Sequence, residues 1–207
     1  MAPTIPSTVK GRATRERIVR AAAALVAERG VAAVSLDDVG ARAPASRSQL
    51  YHYFDDKDAL IRAVVEATSD AVLSYQDALL AHVDSWAGLD RWFDAMVDFQ
   101  RQSHAQGGCP IGSLAGQLAE RDPLARAAIA DGLGRWEARV REGLERMRDR
   151  GKLAPGSDPA ALATATMAAV QGGLLLSQVR RDPEQLRIAL DGARVVLRAA
   201  RGGRVGS

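Results

Sequence analysis

Three Asp-Pro pairs, Asp122-Pro123, Asp158-Pro159 and Asp182-Pro183, cut the second half of this chain into segments of helical length. Proline has a fixed φ and no N–H, so it suits the first position of a helix, where the amide has no intrahelical partner. The aspartate before it can accept hydrogen bonds from the free amides that follow. Each pair therefore reads as a helix start, and the three open helices at about 123–150, 159–180 and 183–201. Gly151 closes the first of them. Two more helices fit before these, near 87–105 and 110–120, separated by Gly107-Gly108.

The first half is built the same way. Ile18, Ala21, Ala22, Leu25 and Val26 recur at the three-to-four spacing of one buried helix face, giving a helix from Arg12 to Arg29 that Gly30 ends. Ser35 caps a short helix, Leu36 to Arg42, with Asp38 at the third helical position completing a capping box; Pro44 stops it. Another short helix runs from Ser46 to Tyr51, and Asp55 or Asp56 caps a long one from Lys57 to Leu80. That makes nine helices. Ala and Leu dominate, and the Val/Ile/Thr alternation of strands is missing, so the expected fold is all-α.

Several function classes drop out. Cys109 is the single cysteine, which rules out an internal disulfide or a multi-cysteine metal site and suits a reducing cytoplasm. His52, His82 and His104 are scattered, and no nucleophile-elbow, zincin, P-loop or dinucleotide motif is present, so neither an enzyme, a metal nor a cofactor is expected. Residues 159–179 carry no charge, but they are rich in Ala and interrupted by Thr164, Gln171 and Ser177. They read as a buried helix with a small-residue face rather than a membrane span. The net charge of +3 says little, but its distribution says more: Lys10, Arg12, Arg15, Arg17 and Arg20 face a single acid, Glu16, across residues 10–20. Such a run is either an electrostatic footprint for phosphate or a solvated helix start.

Residues 35–60 decide between these. Two short helices joined by a tight turn and followed by the aromatic cluster of Tyr51, Tyr53 and Phe54 have the layout of a helix-turn-helix. Leu36, Val39, Leu50 and Phe54 would face the core. Ser46, Arg47, Ser48 and Gln49 are the small, polar and basic side chains that fit a major groove. This stretch resembles the DNA-binding domain of the tetracycline-repressor (TetR) family, whose pattern Leu-Tyr-x-(His/Tyr)-Phe-x-x-Lys-x-x-Leu is met at every fixed position by Leu50 through Leu60. The turn departs from it: Ala43-Pro44-Ala45 stands where the family usually has Ala-Gly-Val, and Gly40 where Ala is common. Proline cannot take a positive φ, so a different turn geometry is expected, with a second helix weakened by about 1 kcal/mol at Gly40.

The resemblance implies roles. Ser46, Arg47, Ser48 and Gln49 would read or border base edges, with Arg47 suited to guanine and Gln49 to adenine by bidentate chemistry. The alternative for each is an exposed polar residue without a base contact. Ser35, Tyr51, Tyr53 and Lys57 would hold phosphates, His52 would lie at the groove edge, and Arg12 would reach backbone or minor groove. The expected layout is a flexible arm (1–9), a DNA-binding domain (10–56), a ligand-sensing and dimerisation domain (57–201) and a tail (202–207). The partners implied are a palindromic double-stranded operator, a small-molecule effector and a second copy of the chain, with ligand binding releasing a repressor.

For the effector pocket the candidates are Trp92, Phe93, Met96, Phe99, His104, Cys109, Trp136, Met167 and Gln171; plain core packing is the alternative for each. Cys109, ahead of a helix, is either a thiol activated by the helix dipole or a structural cysteine. Ala165, Ala169, Gly172, Gly173, Leu176 and Val195 are the candidates for the dimer interface, against the alternative of an intramolecular core.

Overall fold

The computed structural model describes residues 8–202. Nine helices succeed one another among them: α1 (Val9–Arg29), α2 (Leu36–Arg42), α3 (Arg47–Tyr53), α4 (Lys57–Leu80), α5 (Trp86–Gln102), α6 (Pro110–Leu118), α7 (Pro123–Asp149), α8 (Pro159–Arg180) and α9 (Glu184–Ala199). The only extended pairing among the described residues is an isolated bridge between Leu153 and Arg201. Among the described residues the fold is all-α with nine helices, as the sequence implies.

The Asp-Pro device works through the aspartate. Asp122 accepts from the amides of Leu124 and Ala125 at 2.8 and 3.0 Å, and Asp158 from those of Ala160 and Ala161 at 3.0 and 3.3 Å. Asp182 accepts from the backbone amide of Glu184 at 3.0 Å and from the Gln185 side-chain amide at 2.7 Å, and α9 starts one residue later than expected, at Glu184. The first helix starts earlier than expected, at Val9, because the Thr8 hydroxyl accepts from the Gly11 amide at 3.1 Å. Of the expected arm, residues 1–7 lie outside the described residues, as do residues 203–207 of the expected tail.

The chain divides into two compact units, one formed by the described residues up to Val72 with Ser113–Gly132, the other by Leu73–Gly112 with Leu133 onward. The division falls within α4, α6 and α7. In the first unit Ile18, Ala22 and Leu25 of α1 are buried along with Val39, Leu50, Phe54, Leu60 and Ile61. Of the residues that the sequence turns inward, Ala21 and Leu36 are only half-buried, while the others, Val26 included, are in the core. Gly40 has a packing reason: a Cβ there would come within 3.0 Å of the Ala45 carbonyl oxygen and 3.3 Å of a Leu50 methyl. Ala at this position would be tight, so the helix propensity given up by Gly is offset by close approach of the turn. That turn contains no positive φ, its closing bond running from the Ala45 amide to the Gly40 carbonyl at 3.0 Å.

The second unit is organised by the α8–α9 hairpin. Gly173 lies against α9, where a Cβ would fall 2.8 Å from a Leu186 methyl and 3.0 Å from the Ala189 methyl. The buried Ser177 hydroxyl accepts from the Leu186 amide at 3.0 Å. Arg194 ties α9 to α5 through Asp90 and Asp94, at 2.9 and 2.5 Å, with its guanidinium over the Phe93 ring. Among the described residues α8 alone is long and apolar enough to cross a membrane; its Ala163, Met167, Val170 and Leu174 are buried.

Candidate functional site

Two reciprocal capping boxes set the helix-turn-helix. Ser35 caps α2, its hydroxyl accepting from the Asp38 amide at 3.1 Å while the Asp38 carboxylate accepts from the Ser35 amide at 2.9 Å. The Ser35 hydroxyl donates to that carboxylate as well, and this bond comes first among the causes that hold Asp38 below the usual carboxylate range. Ser46 and Gln49 repeat the arrangement at α3, the Ser46 amide donating to Gln49 Oε1 at 2.9 Å and the Gln49 amide to the Ser46 hydroxyl at 3.2 Å. Sequence reasoning found the first box and missed the second, because Ser46 and Gln49 were both assigned to base reading. Gln49 uses its side-chain oxygen on the cap, so a bidentate adenine contact would require that cap to open.

The other assigned residues stand as follows. Ser35, Arg47, Tyr51 and Lys57 line one surface groove of about 400 Å³, together with Asp37 and the neighbouring Ala32, Ala33, Val34 and Leu36. The groove thus gathers two cations and two hydroxyls, with Arg47 Nε 4.0 Å from Asp37 and Lys57 Nζ donating to the Ala32 carbonyl at 3.5 Å. Ser48, Gln49 and His52 are exposed on α3, and Tyr53, half-buried, meets the His52 ring edge-on at 4.9 Å. Arg12 is exposed on α1.

The remaining basic residues of α1 are not all turned outward. Arg17 Nε donates to the Ala43 carbonyl at 3.1 Å, and the Arg15 guanidinium lies 5.2 Å above the Phe54 ring. Further along α1, Glu28 makes a bidentate pair with Arg42 of α2 at 3.1 and 2.9 Å, and this bond holds the Glu28 carboxyl below its usual value.

In the second unit the pocket candidates separate. Trp92, Phe93, Met96, Cys109, Trp136 and Met167 are buried, whereas Phe99 is 45% exposed beside Tyr75 and His104 is exposed in the left-handed region. Cys109 accepts from the Gly112 amide at 3.4 Å through sulfur, and the Cβ that Gly112 lacks would stand 3.1 Å from Gln171 Oε1 and 3.4 Å from Cys109 Cβ. Cys109, Gly112 and Gln171 are therefore neighbours.

Sequence reasoning passed over Gln100, which is fully buried with neither amide atom hydrogen-bonded among the described residues. Trp136 Nε1 and Gln171 Nε2 are also buried without a partner, whereas Trp92 Nε1 donates to Gln76 at 2.7 Å. A glutamine on the apolar face of α5, four residues after Met96, was the available signal.

Of the dimer candidates, Gly173 is buried within its own hairpin, which corrects its assignment to an outer face. Ala165, Gly172, Leu176 and Val195 are exposed and Ala169 is half-buried. No three His, Cys, Asp or Glu side chains gather to hold a metal ion among the described residues.

Comparison with known proteins agrees with this layout. Residues 18–64 match the bacterial regulatory proteins of the tetR family, and residues 85–193 match the tetracyclin repressor-like C-terminal domain. An HTH-type transcriptional regulator in the lacX 3' region of Lactococcus lactis subsp. lactis is 27% identical, the match covering 87% of this chain and 91% of that one. An HTH-type transcriptional regulator of Mycobacterium tuberculosis (strain CDC 1551 / Oshkosh) is 30% identical over 81% of this chain and 86% of its own. The crystal structure of a TetR transcriptional regulator from Chloroflexus aurantiacus superposes with a TM-score of 0.78 at 24% identity, covering 95% of this chain and 100% of that one. These relatives are regulators of transcription, not enzymes. With both of its domains matched, the chain belongs to the TetR family of transcriptional regulators and carries that family's DNA-binding domain at its N-terminal end.

Proposed function

We propose that the chain is a homodimeric repressor, working in the cytoplasm, that leaves a palindromic operator when a small molecule binds its second unit. One observation carries the DNA half of this reading: the groove that gathers Ser35, Arg47, Tyr51 and Lys57 beside the exposed face of α3. Two cations and two hydroxyls on one concave surface, against the single carboxylate of Asp37 beside Arg47, suit a phosphate backbone, and Arg47 and Ser48 are exposed on the same helix toward base edges. A single such domain covers few base pairs, so two copies would read two half-sites. The exposed Leu176 and Val179 of α8 and Ile188, Val195 and Val196 of α9 supply an apolar face for the second copy. Gly172 and Gly192 on these helices have open space where a Cβ would stand, which permits close approach.

The effector half rests on the unpaired polar atoms inside the second unit. Buried amides and indole N–H groups are nearly always hydrogen-bonded, so Gln100, Trp136 and Gln171 offer donors and an acceptor to a bound molecule. The effector acts by binding the released state more tightly than the DNA-bound one. Helix α4 is the element through which it would act, because that helix carries Lys57 at one end and Gln76, the partner of Trp92, near the other.

The test is binding of the purified protein to its own upstream DNA, titrated with salt. Sequence-selective binding with a steep salt slope, lost in Arg47→Ala and Tyr51→Ala, is expected. Weak, sequence-blind binding that both variants keep would overturn the reading.

A further inference from the structure

We infer that Arg17, one of the five basic residues of the run at the start of α1, is a positioning residue for the recognition helix rather than a phosphate contact. The turn between α2 and α3 is short of donors. Pro44 has no N–H, and among the described residues the backbone bond that closes the turn runs from the Ala45 amide to the Gly40 carbonyl, at 3.0 Å. The Ala43 carbonyl lies past the end of α2, among the carbonyls that a helix leaves without an intrahelical partner. Arg17 supplies what is missing from the neighbouring helix: its Nε–H donates to that carbonyl at 3.1 Å.

The bond spans 26 residues of sequence and ties α1 to the one segment whose angle sets where α3 points. A cation at this end of α2 is also favoured by the helix dipole. At the other end of α3 a second arginine of the run acts in parallel, with Arg15 seated over Phe54, the residue that ends α3. The recognition helix is therefore held from α1 at both ends. The basic run is divided in use, and its charge count overstates the number of phosphates it can meet.

Two substitutions separate the alternatives because they divide the two properties of arginine. In glutamine the amide nitrogen stands the same number of bonds from Cα as arginine Nε, so Arg17→Gln keeps the donor and removes the charge. Arg17→Lys keeps the charge and puts a methylene at the donor position. The DNA is the duplex that the wild-type protein selects from a random pool, compared with an unrelated duplex of equal length, each titrated with salt.

Arg17→Gln is expected to keep the ratio of specific to non-specific affinity within about a factor of two of wild type, with the salt slope unchanged. Arg17→Lys is expected to lower that ratio about tenfold while non-specific binding and slope persist. The inference is overturned if Arg17→Lys discriminates like wild type, or if Arg17→Gln loses discrimination as Arg17→Lys does. A fall of about one in the salt slope of Arg17→Gln would also overturn it, since that is the mark of a lost phosphate contact. Melting temperatures are recorded alongside; if the lysine protein is unfolded, the glutamine arm decides alone.

Discussion

The two units differ in how far they pair their polar groups. In the first, Ser35 and Asp38 close one box, Ser46 and Gln49 another, and Arg42, Arg17 and Lys57 each end on a named oxygen. The two boxes join residues three apart, and the other bonds tie α2 and the turn after it to α1, and the start of α4 to the loop after α1. In the second unit Gln100, Trp136 and Gln171 keep four buried polar atoms that nothing among the described residues satisfies, against one in the first, Arg15 Nε, whose guanidinium lies over the Phe54 ring. A domain that must present one helix at one angle gains from closing its polar ends, since an unpaired end costs about 1–3 kcal/mol. A domain that waits for a ligand keeps its ends open.

The strongest way to break this comparison is at the hairpin, because the second unit depends on tertiary fit and the helix-turn-helix on local pairing. Gly173→Leu would drive side-chain atoms into Leu186 and Ala189 and is expected to cost about 3 kcal/mol, near the upper range for overpacking. Gly172→Leu, one residue away in open space, is expected to leave the fold of the chain intact and to alter dimerisation. Thermal unfolding and sedimentation of the pair would show it, and equal destabilisation by both would mean that the outer face of α8 is also packed. Next in size is the recognition helix. Arg47→Ala is expected to reduce specific binding by about 1–3 kcal/mol and to relax discrimination at one base pair, as read from binding to single-base variants of the site. A loss spread evenly over all sequences would instead mark Arg47 as a phosphate contact.

What the sequence showed follows the same division. Ser35 with Asp38, the Asp-Pro pairs and the apolar spacing of α1 are signals between near neighbours, so helix order and the capped starts of α2, α7 and α8 were legible. The second box was missed at Gln49 because a glutamine three residues after a serine fits both a capping box and an adenine reader; the structure shows the box. Gly173 and Gly172 are adjacent in a uniformly small stretch, and only the position of α9 distinguishes inside from outside. Phe99 and Met96 differ by less than one helical turn, yet one is exposed and the other buried. The orphaned amide of Gln100 could not be foreseen at all, since a missing partner is a property of the packed unit.

Two smaller effects sharpen the contrast from each side. Gln100→Leu removes a buried amide that has no partner, and the apo protein is expected to become more stable by about 1 kcal/mol while losing its response to effector. A fall in melting temperature would show that the amide is satisfied in solution, by water or otherwise. Ser46→Ala removes a cap that is made, and is expected to destabilise the protein by about 1 kcal/mol. The opposite signs of two polar-to-apolar substitutions are the sharpest small-scale statement of the difference between the units.

The least effect is expected from acid, and it also falls on the first unit. Asp122 lies below the usual carboxylate range, chiefly because it accepts from the Ala125 amide, against some desolvation, with the Leu124 amide and Arg62 assisting. A carboxyl whose value is lower in the folded protein contributes stability that is complete above its unfolded value, about pH 4, and disappears as the pH falls through the folded value. The stability difference between wild type and Asp122→Asn should therefore be present at neutral pH and shrink below about pH 4. The cap helps to start α7, and Arg62 brings α4 to it at 3.2 Å, so the loss would loosen the first unit at the α6–α7 turn. A difference that stayed constant down to acid pH would mean that the charge on Asp122, with its pairing to Arg62, adds nothing.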